Sequence, residues 1–146
     1  MSKGVVNMKT TGELTDGLKN TRDLNDFMER NEGEFKDDTV SVYLNGLLTE
    51  KNLEKSEVID KSFLDKVYAY QIFSGTKKPS RDKLLLLALG FGLDFDEVQK
   101  MLKTCSYPQL YAKNSRDSII IYGFMHKLSA LKLNFKLDEC GERPLI

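Results

Sequence analysis

Apolar residues recur along most of this chain at helical spacing. Val40, Leu44, Leu47 and Leu48 fall at i, i+4, i+7 and i+8, which predicts a helix with one buried face that ends near Lys51-Asn52. A second helix is expected around Val58 and Ile59, with Ser56 as its N-cap. A third follows with Asp65 as N-cap and Ala69, Ile72 and Phe73 on one face, and Gly75 ends it in the left-handed conformation that costs glycine least. Pro79-Ser80 opens a fourth helix through Leu84, Leu85, Leu87, Ala88 and Leu89, closing at Gly90 or Gly92. Its nearly continuous hydrophobicity predicts a central position. Asp94-x-x-Glu97 has the form of a capping box and starts a fifth helix that turns Phe95, Val98, Met101 and Leu102 inward.

The flanks read less sharply. Thr10-Thr11-Gly12-Glu13 is another capping box, and Thr21 precedes Leu24, Phe27 and Met28 at helical spacing, so two short amphipathic helices are expected before the polar stretch 31–38. Beyond Pro108, Ile119, Ile120, Tyr122 and Phe124 mark one helix and Leu131, Leu133, Phe135 and Leu137 the next, with Ser129 as N-cap and Gly141 as stop. The pair reads as an αα-hairpin, although the β-branched run Ile119-Ile120-Ile121-Tyr122 also suits a short strand. The hairpin serves either as cover for the core or as a dimer interface. The expected organisation is all-α: a helical extension over 1–38, a five-helix domain over 39–104 and a helical hairpin over 105–146.

Composition narrows the class. With 40% apolar and 30% charged residues in 146, the chain suits a folded domain with modest extensions. Its two cysteines, Cys105 and Cys140, make no disulfide framework and no CxxC pair, which fits a reducing cytoplasm. No signal-peptide core or membrane-length apolar run is present. Lys plus Arg equals Asp plus Glu at 22 each, so there is no overall basic field. The charge is unevenly placed: residues 1–40 hold 6 basic and 9 acidic groups, whereas 51–83 hold 8 basic and 5 acidic. The N-terminal extension is therefore acidic.

The stretch from Lys55 to Ser80, KSEVIDKSFLDKVYAYQIFSGTKKPS, resembles the helix-turn-helix of the λ-repressor-like or Xre family of transcriptional regulators. Gly75, then Lys77-Lys78, then Pro79-Ser80 matches that family's closing pattern. Ala69 and Ile72 fall where it keeps small or aliphatic core residues, and Val58 and Ile59 match its apolar pair in the preceding helix. The wider stretch through KKPSRDKLLLLALGFGLDFDEVQKML to LYAKNSRDSIII is similar to a subgroup of such regulators from low-GC Gram-positive bacteria. Three positions depart from the pattern. Ser62 stands where the family has an aliphatic core residue, Phe63 where it usually has the turn glycine, and Phe73 where it usually has a polar residue.

The resemblance implies sequence-specific binding of double-stranded DNA by a recognition helix over 66–74. Carried over position by position, base reading falls to Lys66, Val67 and Gln71, flanked by Tyr68 and Tyr70. Gln can pair bidentately with adenine, Lys can reach guanine O6 and N7, and Val can touch a thymine methyl. Phosphate contacts are implied for Lys55, Ser56, Lys77, Lys78 and Arg81. Four to six such contacts would give a slope of log K against log salt of roughly −4 to −5.

Other chemistries have little to draw on. His126 is the lone histidine, so neither a metal site nor a histidine-based triad is expected, nor any enzymatic activity or cofactor. Gly90-Phe91-Gly92 follows a helix rather than a strand, which suits a C-cap and not a nucleotide fingerprint. Asp94, Asp96 and Glu97 are expected as helix-start acids rather than cation ligands. Thr10, Thr11, Thr15 and Thr21 read as capping residues, with phosphorylation as the alternative. Tyr68, Tyr70 and Phe73 put aromatic bulk on a helix that must dehydrate against DNA, and aromatics of that kind also suit a protein interface. A protein-binding adaptor or antitoxin-like module on the same fold is the competing expectation.

Overall fold

The expected capping residues set most helix starts. The computed structural model describes residues 9–26 and 39–146, so Phe27, Met28 and the polar stretch 31–38 lie outside it. The chain divides into two units, 1–37 and 38–146. In the first, α1 (Thr11–Asn20) begins at Thr10, whose hydroxyl accepts the Glu13 amide while the Glu13 carboxylate accepts the Thr10 amide. None of its residues is buried within this unit.

The second unit holds seven helices among the described residues: α2 (Thr39–Lys51), α3 (Lys55–Ser62), α4 (Lys66–Ser74), α5 (Arg81–Phe91), α6 (Phe95–Thr104), α7 (Ser115–Met125) and α8 (Ala130–Glu139). No strand occurs among the described residues, and the run over 119–122 is helical. Asp65, Ser80, Asp94, Asn114 and Ser129 each accept a backbone amide from the first turn of the helix that follows. Ser56 does not cap: α3 starts one residue before it, at Lys55, and Glu54 in the N-cap position makes no side-chain cap bond. Asp94 and Glu97 form a reciprocal capping box. Gly92, not Gly90, ends α5, in the left-handed region at φ 72°.

The core is built around α5, in which Leu84, Leu85, Leu86, Leu87 and Ala88 are all buried. Gly90 is needed inside that helix because a Cβ there would stand 2.3 Å from the Val58 carbonyl oxygen of α3. The same buried cluster runs on through Leu110, Ile120, Phe124, Ala130, Leu133, Leu137 and Leu145, so the α7–α8 hairpin packs into the core of the preceding helices. Its outward positions differ from the sequence expectation: Leu131 and Phe135 are exposed, because the inward stripe of α8 is Ala130, Leu133, Asn134 and Leu137.

Polar contacts fasten the same unit. Lys51 Nζ lies 2.7 Å from Glu97, and this hydrogen bond holds the Glu97 carboxyl below its ordinary range and the Lys51 ammonium above its own. Burial pushes the Asp82 carboxyl up, but hydrogen bonds and charge from Arg116 and Arg143 outweigh it and hold the group below its usual value. Arg116 also donates to the Arg143 and Pro144 carbonyls, and the Asn134 amide oxygen accepts from Leu145 and Ile146, so the C-terminal segment is tied down. No helix of the described residues is long and apolar enough to cross a membrane.

Candidate nucleic-acid interface

α3 and α4 are joined by a three-residue turn, 63–65, whose geometry depends on Ser62. A hydroxyl is costly in a core unless its hydrogen bonds are made. The fully buried Ser62 Oγ donates to the Ile59 carbonyl at 2.6 Å and accepts the Leu64 amide at 3.2 Å, so it fixes the exit of the turn. Phe63 occupies the left-handed region at φ 60° with its side chain 52% exposed. Asp65 then starts α4 by accepting the Tyr68 amide.

One face of α4 is sealed. Ala69, Ile72 and Phe73 are buried, and the Asn45 side-chain amide of α2 donates to the Phe73 carbonyl at 2.9 Å and to the Ser41 carbonyl at 2.8 Å. The opposite face carries Lys66, Val67 and Tyr70 in the open, with Val67 67% exposed. Tyr68 and Gln71 are half-buried, and Tyr68 packs against the core. Of the five residues expected to read bases, three are fully presented and two lie at the margin. Lys66 makes a loose exposed contact of 3.9 Å with Asp60, which leaves its ammonium largely solvated.

The basic loop follows directly. Gly75 takes φ 85°, and the amides of Thr76 and Lys77 both donate to the Gln71 carbonyl, so the loop folds back on the end of α4. Lys77 and Lys78 are exposed. The Lys78 ammonium stands 5.7 Å from the Tyr107 ring centroid, and the Tyr107 hydroxyl donates to the Pro79 carbonyl at 2.6 Å. Lys55 projects from the start of α3, its ammonium 5.3 Å from the Phe73 ring centroid, and Ser56 is exposed beside it.

Arg81 is placed differently from the other basic residues. Its Nη2 donates to the Asp117 carboxylate at 2.7 Å, its side chain is only 23% exposed, and its Nε is buried without a hydrogen-bond partner. Asp117 also accepts the Tyr111 amide at 2.9 Å. Arg81 therefore ties the start of α5 to α7.

Asn45, Tyr107 and Asp117 shape this face and were not legible as part of it. Their partners lie 28, 28 and 36 residues away, at distances no local pattern reports. Within residues 38–146 the remaining candidates stay apart from the face. His126 is the C-cap of α7 with its ring 4.1 Å from that of Tyr122, Cys105 is buried, and Cys140 is exposed at the end of α8. Asp94, Asp96 and Glu97 belong to the first turn of α6 or its cap, and no group of three or more His, Cys, Asp or Glu among the described residues is arranged to hold a metal ion. Thr10 caps α1, Thr21 closes it, and the Thr15 hydroxyl donates to the Thr11 carbonyl. Comparison with protein-family models, with curated proteins and with solved structures finds no match to this chain.

Proposed function

We propose that residues 39–104 form a λ-repressor-like five-helix domain and that the protein is a sequence-specific DNA-binding transcriptional regulator, α4 entering the major groove. The observation that carries this reading is the two-faced character of α4. Its inner face is buried and its carbonyl end is tied to α2, while Lys66, Val67 and Tyr70 stand outward beside the exposed Lys77 and Lys78. A groove-reading helix needs that combination: a rigidly seated inner face and an outer face of groups that can meet base edges, with cations next to it for the phosphates. Lys66, Val67 and Gln71 read bases with Tyr68 and Tyr70 at their flanks. Lys55, Ser56, Lys77 and Lys78 contact phosphates. Arg81 is left out of this set because its guanidinium is engaged by Asp117. With Lys55, Lys77 and Lys78 as the cations, log K should fall against log salt with a slope of roughly −3 per copy.

A second reading has its own support. Of the aromatics expected on a protein-binding face, Phe73 is buried and Tyr68 half-buried, but Tyr70 is exposed beside Val67 and Phe63, and the chain has no net positive charge. An adaptor or antitoxin-like protein would use that face against a protein partner.

Fluorescence anisotropy of the full chain against a random-sequence duplex pool at two salt concentrations separates the readings. Salt-sensitive binding that weakens about tenfold in Lys77→Ala/Lys78→Ala, with sequence selection relaxed in Lys66→Ala/Gln71→Ala, supports the regulator. A folded protein that binds no duplex at low salt sinks it and turns attention to protein partners of the aromatic face.

A further inference from the structure

The turn and the hairpin share a recess that the DNA reading does not use. It is a half-open recess of about 520 Å³ where the ends of α3, α5 and α7 meet the start of α8. Leu53, Phe63, Leu89, Phe91, Phe124 and Leu128 supply its apolar wall. Ligand recesses for small molecules have this size and this kind of lining. Two lysines, Lys61 and Lys127, line the recess against a single acidic residue, Asp60. Lys61 makes a loose 3.9 Å contact with Glu57, both side chains being more than half exposed, and Lys127 donates to the Gly92 carbonyl at 3.3 Å.

Phe63 is the second observation. A bulky residue at φ 60° is strained, and one with 52% of its surface in water gains little from burial in return. Glycine would serve the turn better, since the hydrogen bonds that shape it come from Ser62 and from the Phe63 backbone amide. The aromatic ring earns no place by packing, yet it forms one wall of the recess.

We infer that this recess binds a small carboxylic acid with an apolar body, the body lying between Phe63, Phe91 and Leu128 and the carboxylate meeting Lys61 and Lys127. The inference stands on the recess and its charges and does not depend on DNA binding.

Octanoate serves as the probe, titrated calorimetrically into the full chain beside its uncharged counterpart 1-octanol. Saturable one-to-one binding of octanoate is expected. Lys61→Met/Lys127→Met should weaken octanoate at least fivefold and leave octanol unchanged. Leu128→Trp, which fills the recess, should weaken both. Phe63→Gly should raise the melting temperature by relieving the turn and still weaken octanoate at least fivefold, a pairing of effects that a purely structural Phe63 would not give. A folded wild-type protein that binds no octanoate overturns the proposal, as does binding of equal strength in all variants. A concentration-dependent dimer dissolved by Phe63→Gly would show a second copy in the recess and overturn it equally.

Discussion

Ser62 and Gly90 bring one constraint to the domain from opposite sides, because both lie where α3 meets its neighbours with no spare room. The Ser62 hydroxyl accepts the Leu64 amide in a site without solvent. Ser62→Ala leaves that amide without its acceptor, so the change should destabilise the fold by about 1–3 kcal/mol, read as a lower urea midpoint at unchanged slope. Gly90→Ala puts a methyl 2.3 Å from the Val58 carbonyl oxygen, which only a backbone shift between α3 and α5 can relieve. A loss of about 3 kcal/mol is expected by the same measurement, toward the upper end for overpacked cores. The residue types at these positions could be read from the sequence, but their roles could not. Serine at a position of aliphatic pattern reads as a departure until its two partners are seen, and Gly90 reads as a helix end until Gly92 is seen to take the left-handed conformation instead.

Helix boundaries were the most legible elements, because a cap is a local contact and its signal lies within four residues. Thr10, Asp65, Ser80, Asp94 and Ser129 all cap as their side chains allow, and Gly75 closes α4. Ser56 failed because a serine on the second residue of a helix has the same local sequence as one on its cap. How the elements are held together was not legible, since it rests on pairs far apart in sequence. The segment between α6 and α7 is the main case: Gln99 of α6 brackets the Leu110 backbone with two hydrogen bonds, Tyr107 reaches Pro79, and Asp117 of α7 accepts the Tyr111 amide as well as Arg81. Through these contacts the segment braces the basic loop. Tyr107→Phe removes the 2.6 Å hydrogen bond to the Pro79 carbonyl and keeps the ring beside Lys78, so hydrogen exchange of the Thr76 and Lys77 amides should quicken several-fold while the helical circular dichroism is unchanged. Asp117→Ala is expected to be more severe. It leaves the Arg81 guanidinium three-quarters buried without its carboxylate, and a loss of about 2–4 kcal/mol should appear in urea denaturation.

For residues 38–146 taken whole, the acid and alkaline limits of stability follow from two ion-pair groups that fasten α2 to α6 and α5 to α7 and the C-terminal segment. Glu97 and Asp82 both titrate below their ordinary values of 4.5 and 3.8 in the folded protein. A group whose folded value is lowered binds its proton more readily when the chain unfolds, so the stability it contributes is complete above the unfolded value and is lost as pH falls through the folded one. Melting temperature should therefore hold steady down to about pH 5 and decline steadily below it. Lys51 works in the opposite sense: its folded value is raised above 10.5, so its contribution is complete below that pH and disappears as pH climbs past it. Lys51→Met tests the assignment at both ends. It should lessen the alkaline decline, leaving the part due to Tyr43, whose hydroxyl is also pushed above its ordinary value by burial, and remove the part of the acid decline that belongs to Glu97, while the part due to Asp82, held by Arg116 and Arg143, remains. The partners of the Lys51–Glu97 pair are 26% and 35% exposed, so solvent screening keeps the effect small, and the difference between the two pH profiles should shrink further in 1 M salt. A Lys51→Met profile that overlays the wild type at both ends would mean that the pair adds nothing to stability and that acid lability rests with Asp82 and its two arginines.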